Sequence, residues 1–188
     1  VNLSFDLTQI NPDGSITTRH ELTAAEKAAL TYAHDNGVLI IAASGNESGR
    51  MSALGQASQQ FDNIITVGAS EDGQRASYSS YGQGLNLVTS GQGAGETVGT
   101  SLSAAKVTAA ASKVWKANAQ LDYLQVMHAL EATATDLEQP GWDRETGAGQ
   151  LNPSAAVHLA EKTIVQSSSE FGVAQADNEN SDRNNDRN

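Results

Sequence analysis

The sequence predicts an α/β fold in which helices flank a parallel β-sheet, and two observations carry this prediction. First, a strand-like segment is followed by a helix-like segment and then by an apolar run at residues 38–43, with a second run at residues 64–69. Strands and helices that alternate along the chain are typical of a parallel sheet with crossover helices. Second, neither run alternates with polar residues, which indicates strands covered on both faces.

The elements before and between these runs follow from local patterns. Residues 1–5 alternate apolar and polar side chains, which favours a first strand. After a polar, turn-rich stretch, Thr23 and Glu26 form a capping box that predicts a helix of about three turns. Asn36 and the glycine after it predict the end of that helix, and residues 85–88 predict another short strand.

A long alanine-rich helix is predicted directly after Ser101. Its small residues would allow close packing in the centre of the domain. Two further helices are predicted to be capped by Asp122 and by Asn152, which precedes a proline. From residue 167 onward the chain is polar and rich in Asn and Asp. We therefore expect one domain over residues 1–166 and a disordered tail or linker over residues 167–188.

Composition excludes several classes of partner. Eleven basic and 22 acidic residues among 188 give a net charge of −11, which repels nucleic acid and anionic membrane surfaces. No apolar run approaches the roughly 20 residues of a membrane-spanning helix. The chain has no cysteine, so disulfides, thiolate metal sites and thiol nucleophiles are excluded while the compartment stays open. We expect neither nucleic acid nor a membrane as partner.

Three stretches could carry chemistry, although each alone has a simpler structural interpretation. Gly45 and Asn46 directly follow a buried strand, where ligands bind in open α/β sheets, but such a pair is usually a turn. Ser101 opens a helix whose terminal N–H groups could stabilise an anion, but a serine there is usually a cap. The segment at residues 75–82 links two strands and by itself indicates only a loop.

Taken together and in this order, the stretches resemble the subtilisin-like serine proteases. The strand at residues 1–5 and the G-x-G-x-L-N segment near residue 150 are similar to that family too, so the resemblance covers roughly residues 1–160. The matching segments are A-A-S-G-N at residues 42–46, I-T-V-G-A at 65–69, R-A-S-Y-S-S-Y-G at 75–82 and G-T-S-L-S at 99–103.

This resemblance implies an endopeptidase acting on peptide or protein substrates. Ser101 would attack the scissile carbonyl, while the Asn46 side chain and the Ser101 backbone N–H would donate to the developing oxyanion. The Thr100 hydroxyl would assist. The residues expected along the substrate cleft are Ser4, Ala43, Gly45 and Thr100.

The remaining triad members are not recognisable in this chain. The family order is Asp, His, Ser, and neither a D-[ST]-G nor an H-G-T segment occurs. A triad of Asp6, His20 and Ser101 has the right order, but His20 and His34 are better interpreted as solvated surface residues. We therefore expect a truncated domain whose Asp and His come from an upstream segment of the parent protein. Without them, the chain alone should be nearly inert.

Other implications of the resemblance are broader. Calcium is possible by family analogy, but no calcium site can be assigned and no other metal or cofactor is expected. Secretion or a periplasmic location is expected by the same analogy. One alternative is a non-catalytic interaction module on the same scaffold. Another is a nucleotide-binding domain, suggested by Gly91, Gly93 and Gly95, although Glu96 would repel a pyrophosphate.

Overall fold

The computed structural model describes residues 1–164. The predicted tail at residues 167–188 lies outside the described residues. The strands are β1 (Asn2–Leu3), β2 (Thr8–Ile10), β3 (Ile16–Thr18), β4 (Ile40–Ala43), β5 (Ile64–Glu71), β6 (Gln74–Arg75) and β7 (Leu87–Ser90). The helices are α1 (Ala24–Asp35), α2 (Thr100–Ala117), α3 (Tyr123–Ala132) and α4 (Pro153–Lys162), and a short 3-10 helix covers Ala57–Gln59.

The predicted parallel sheet is confirmed. Strand β4 pairs in parallel with β1 on one side and with β5 on the other, and β5 pairs in parallel with β7. The short strand β6 pairs antiparallel with the end of β5. Because the four parallel strands run in one direction, the loops that follow β1, β4 and β7 emerge at the same edge of the sheet, where ligand sites form in α/β folds.

Both faces of the sheet are covered, as the apolar runs predicted. Ile41 and Ile65 point toward the face on which α2, α3 and α4 pack. Their neighbours Ile40 and Ile64 belong to a second cluster that contains Leu30 of α1. This alternation within each strand explains why β4 and nearly all of β5 are buried on both faces, with Thr66 and Ser70 as buried polar residues in β5.

The helix ends were largely predicted from local chemistry. Thr23 and Asp122 both form complete capping boxes, and the Asn152 side chain accepts a hydrogen bond from the amide of Ala155. Helix α2 differs from the prediction, because it begins at Thr100 and its N-cap is Gly99, which has no side chain to accept a hydrogen bond. Ser101 therefore lies inside the first turn and is not the cap.

Two features differ from the sequence expectation. The first strand is shorter than residues 1–5, because only Asn2 and Leu3 pair with β4. The turn-rich stretch contains the β2–β3 hairpin, in which Ile10 pairs with Ile16. Both isoleucines are exposed, at 78% and 68%, so the hairpin has no buried face that a hydrophobic pattern could reveal.

Within residues 1–164, no helix combines the length and apolar character that are needed to cross a membrane.

Candidate active site

Three chain segments meet at the carboxyl edge of the sheet. Ser4 follows β1, Asn46 follows β4, and Ser101 lies in the first turn of α2. Ser4 and Ser101 are joined by two reciprocal hydrogen bonds. The Ser101 Oγ donates to the Ser4 carbonyl over 3.1 Å, and the Ser4 Oγ donates to the Ser101 carbonyl over 3.0 Å. Residues far apart in sequence are thus brought into one place.

The side chain of Asn46 is oriented by Thr100. The Asn46 Oδ1 accepts a hydrogen bond from the Thr100 amide at 2.9 Å and another from the Thr100 Oγ1 at 3.1 Å. Because the carboxamide oxygen accepts both hydrogen bonds, the NH₂ group on the other side of the carboxamide points away from Thr100. No described residue accepts a hydrogen bond from the Asn46 Nδ2, and the residue is exposed. An N–H donor is therefore available at the surface beside α2.

Thr100 itself is fully buried and has a positioning role in the structure. Its hydroxyl accepts a hydrogen bond from the Gly45 amide at 3.3 Å while donating to Asn46. This one hydroxyl joins the loop after β4 to the first turn of α2. The relative position of Asn46 and Ser101 is fixed by this connection.

The first turn of α2 supplies a second donor. The first N–H groups of a helix have no partner inside the helix and carry the positive end of its dipole. The Thr100 amide is used by Asn46, whereas the Ser101 amide makes no hydrogen bond to any of residues 1–164. A hydroxyl and two free N–H donors thus occur together, which is the arrangement that stabilises an oxyanion formed at an attacked carbonyl.

No general base contacts Ser101 within the described part of the chain. The Ser101 hydroxyl is bonded to the Ser4 carbonyl, and none of the four histidines is among its partners. The Nδ1 of His20 lies 3.0 Å from a backbone carbonyl, and His34 lies between two aspartates. The other two histidines are exposed on α3 and α4. A triad of Asp6, His20 and Ser101 is therefore not formed.

The predicted substrate-binding residues differ in exposure. Ser4 is partly buried. Gly45 is buried and belongs to the loop that carries Asn46. Ala43 is only 3% exposed and packs in the core beneath α2, so a peptide could reach only its backbone. Roles in substrate binding remain predictions for all four residues, including Thr100.

The loop at residues 75–82 forms the wall behind Gly45. The Arg75 guanidinium donates to the Ser79 carbonyl at 2.8 Å and lies 4.2 Å from the centre of the Tyr81 ring. The Ser80 amide donates to the Gly45 carbonyl at 2.9 Å. A β-carbon added at Gly45 would lie 3.0 Å from the Ser80 Oγ, and the φ of Gly45 is +108°, so another residue would be strained at this position.

Asp6 also lies at this wall, a fact that the sequence did not reveal. Its Oδ1 would be 3.2 Å from a β-carbon at Gly45. Burial raises the pKa of the Asp6 carboxyl and the nearby charge of Glu47 adds to the rise, while the neighbouring Ser52 hydroxyl partly offsets it. In the sequence, Asp6 is apparent only as a possible member of a triad with His20 and Ser101. The residues that surround Asp6 are distant from it in sequence, so no local sequence pattern could have indicated these contacts.

Metal binding finds no support in side-chain clusters. Among residues 1–164, no three His, Asp or Glu side chains converge closely enough to hold an ion. The calcium site that the family resemblance allows therefore has no assigned ligands.

A serine hydroxyl beside two oriented N–H donors at the carboxyl edge of a parallel sheet defines a candidate site of the serine-hydrolase class. The sequence profile of the subtilase family matches residues 1–149, and the chain belongs to this family.

Similar proteins agree with this assignment. Alkaline elastase YaB of Bacillus sp. (strain YaB) is 33% identical over 146 residues, which cover 71% of this chain and 36% of that protein. Subtilisin BL of Lederbergia lenta is 35% identical over 144 residues, covering 71% of this chain and 51% of that protein. The chain thus spans between 36% and 51% of these relatives.

Solved structures share the fold. A structure of proteases from Pseudoalteromonas arctica PAMC 21717 matches with a TM-score of 0.67 at 19% identity, covering 85% of this chain and 50% of that chain. The prenylagaramide maturation protease PagA matches with a TM-score of 0.62 at 24% identity, covering 84% of this chain and 60% of that chain. At these identities the likeness concerns the fold alone.

Proposed function

We propose that this chain is the C-terminal half of the catalytic domain of a serine endopeptidase, with Ser101 as nucleophile. The observation that supports it most is the orientation of Asn46, whose Oδ1 is held by Thr100 so that its NH₂ group is free. The Asn46 Nδ2 and the Ser101 backbone N–H would donate to the oxyanion. The substrate would be a peptide or protein.

The proposed reaction begins when the Ser101 Oγ adds to the scissile carbonyl carbon. Negative charge then develops on the carbonyl oxygen, and donors that are already oriented lower the energy of this transition state without reorganising. The Ser101 proton must leave during the attack. In the structure that proton is directed at the Ser4 carbonyl, which is not a base. The hydroxyl therefore has to turn to a histidine before it can react.

We propose that this histidine and its orienting aspartate come from an upstream segment of the parent protein. A serine without a base is a weak nucleophile at its ordinary pKa. The chain alone should then be nearly inert, and activity should appear only with the upstream segment present. The family relationship also supports secretion or a periplasmic location, and the proposed reaction uses no cofactor.

Labelling by a fluorophosphonate tests this proposal. The reagent should label the protein extended by its upstream sequence, and it should label the isolated chain far more slowly. Ser101→Ala should abolish labelling, whereas Ser112→Ala, an exposed serine on the same helix, should leave it unchanged. Asn46→Ala should slow peptide hydrolysis about 100- to 1000-fold, the magnitude known for loss of this donor in subtilisin itself.

The alternative is a non-catalytic interaction module. A folded, extended protein that is neither labelled nor able to hydrolyse any peptide would favour this alternative. A nucleotide-binding role is disfavoured because α2 begins at Thr100, well after Gly95, so the glycines do not open the helix.

A further inference from the structure

Two arginines outside the candidate active site have no acidic partner. Residues 1–164 contain four arginines, at positions 19, 50, 75 and 144. Arg19 and Arg75 each form an ion pair with a glutamate. In this part of the chain, no carboxylate lies within ion-pair distance of Arg50 or Arg144. Their two positive charges are thus not neutralised, although acidic residues outnumber basic ones by 22 to 11 in the whole chain.

The acidic residues on either side of Arg144 are both engaged by other groups. The Asp143 Oδ1 accepts a hydrogen bond from the Glu145 amide at 2.7 Å, and the Glu145 carboxylate pairs with Arg75. The Arg144 guanidinium lies instead beside Gly82, with its Nη2 3.9 Å from the position that a β-carbon of Gly82 would take. Arg144 therefore remains unpaired although two carboxylates flank it in sequence.

Arg50 is oriented by a neutral side chain. The Gln56 Oε1 accepts hydrogen bonds from the Arg50 Nε at 3.4 Å and from its Nη2 at 3.2 Å. The Gln56 Nε2 donates to the Met51 carbonyl at 2.7 Å, so the carboxamide is held at both ends. A carboxamide has no charge, and it can therefore fix the direction of the guanidinium without neutralising it.

Both arginines line one open cavity of about 310 Å³. The loops that carry them are joined to the same short segment. The Tyr81 amide donates to the Gly49 carbonyl at 3.0 Å, and the Gly82 amide donates to the Arg144 carbonyl at 2.9 Å. Arg50 and Arg144 are exposed, so a ligand can reach both guanidinium groups from solvent.

The geometry points to a binding site for a doubly charged tetrahedral oxyanion, of the phosphate or sulfate class, between Arg50 and Arg144. Each guanidinium presents N–H donors in a planar fork that matches two oxygens of such a group. Two positive charges match a dianion, whereas one fork is enough for a carboxylate. Because the cavity is open, the oxyanion can be a free ion or a group attached to a larger molecule. The site uses neither Ser101 nor Asn46, so this inference does not depend on the proposed function.

NMR of the chain of 188 residues tests the site. Phosphate is titrated against sodium chloride at equal ionic strength, because salt screens exposed charges. At about pH 8 phosphate groups carry close to two charges. The Nε–Hε signals of Arg50 and Arg144, assigned by their loss in the glutamine variants, should shift saturably with phosphate and not with chloride. Phenyl phosphate distinguishes the two sources: tighter binding than that of inorganic phosphate indicates a group on a larger molecule, and equal or weaker binding indicates the free ion.

Substitutions separate a built site from the effect of net charge. Arg50→Gln and Arg144→Gln should each weaken phosphate binding at least about tenfold, as expected for the loss of a charge-assisted hydrogen bond. Arg50→Lys keeps the charge but loses the fork, so it should also weaken binding. Lys113→Gln is the matched control, since Lys113 is exposed on α2 and the change removes the same charge. It should change the affinity by less than about twofold.

The opposite results overturn the inference. Shifts that do not saturate, or that chloride reproduces, refute a phosphate site. Equal weakening by Lys113→Gln and by Arg50→Gln refutes the role of the two arginines, because only net charge would then act. Ser101→Ala should bind phosphate as the unchanged protein does. A protein that binds phosphate but is never labelled at Ser101 contradicts the protease proposal alone, and one that is labelled but binds no phosphate contradicts this inference alone.

Discussion

Replacing Thr100 by valine tests whether one buried hydroxyl holds the candidate site together. Valine keeps the shape of the side chain but removes its hydroxyl. The change deletes the hydrogen bond from the Thr100 hydroxyl to the Asn46 Oδ1, and it leaves the buried Gly45 amide without an acceptor. Losing one hydrogen bond costs about 1 kcal/mol, and an unpaired buried N–H costs about 1–3 kcal/mol. We expect a loss of about 2 kcal/mol, because the 3.3 Å bond from Gly45 is long.

For a chain of this size, a loss of about 2 kcal/mol corresponds to a fall in Tm of about 4–8 °C. Thr108→Val is the matched control, since its hydroxyl donates to a carbonyl in the preceding turn of the same helix. Losing that bond should cost about 0.5 kcal/mol or less, because it competes weakly with the backbone bond. Thermal unfolding followed by circular dichroism measures both. Equal shifts for the two variants would refute the positioning role of Thr100.

Two further predictions concern stability. A hydrogen bond from Arg19, followed by one from the Thr23 amide, lowers the pKa of Glu26 from 4.5 to about 2. Its stabilising effect is therefore present above pH 4.5 and is lost as the pH falls toward 2. In urea unfolding, Arg19→Gln should be slightly less stable than the unchanged protein at about pH 6, and the difference should shrink at about pH 3. An unchanged difference would contradict this assignment. Gly149 has a φ of +111°, and an added β-carbon would lie 2.2 Å from the Thr135 carbonyl oxygen. Gly149→Ala should cost about 3 kcal/mol, whereas Gly95→Ala, with open space around it, should cost about 1 kcal/mol. Similar losses for both in urea unfolding would contradict the steric argument.

The parts of the fold that were predictable depend on neighbours in sequence. The capping boxes at Thr23 and Asp122 join residues three positions apart, so the sequence shows both partners. The buried strands were predictable because burial on both faces requires an unbroken apolar run. The β2–β3 hairpin was not, because its pairing depends on a turn and polar contacts around Asn11, with no apolar stripe.

The candidate site was likewise only partly predictable from the sequence. The short motifs around Asn46 and Ser101 could be recognised because each is contiguous in sequence. The sequence did not show that Thr100, an apparent helix-start residue, holds the Asn46 carboxamide. It did not show the unpaired buried oxygen of Asp6 beside Gly45 either, because these two residues come together only in the folded chain. Long-range contacts of single polar atoms leave no periodic signal.

The same contacts explain why the first turn of α2 can serve as a rigid platform. Three strands hold it from different sides, through Ser4 after β1, Asn46 after β4, and the bond from Ser103 Oγ to the carbonyl of Thr89 in β7. Each is a hydrogen bond between a side chain and a backbone or side-chain group, so each fixes direction as well as distance. Behind them, the small side chains of α2 allow the helix to pack directly on β4 and β5. A donor that is held before the reaction does not have to be reoriented during it, and this preorganisation is what oxyanion stabilisation requires. The fold therefore fixes the geometry of the proposed donors although no histidine within residues 1–164 is hydrogen-bonded to Ser101.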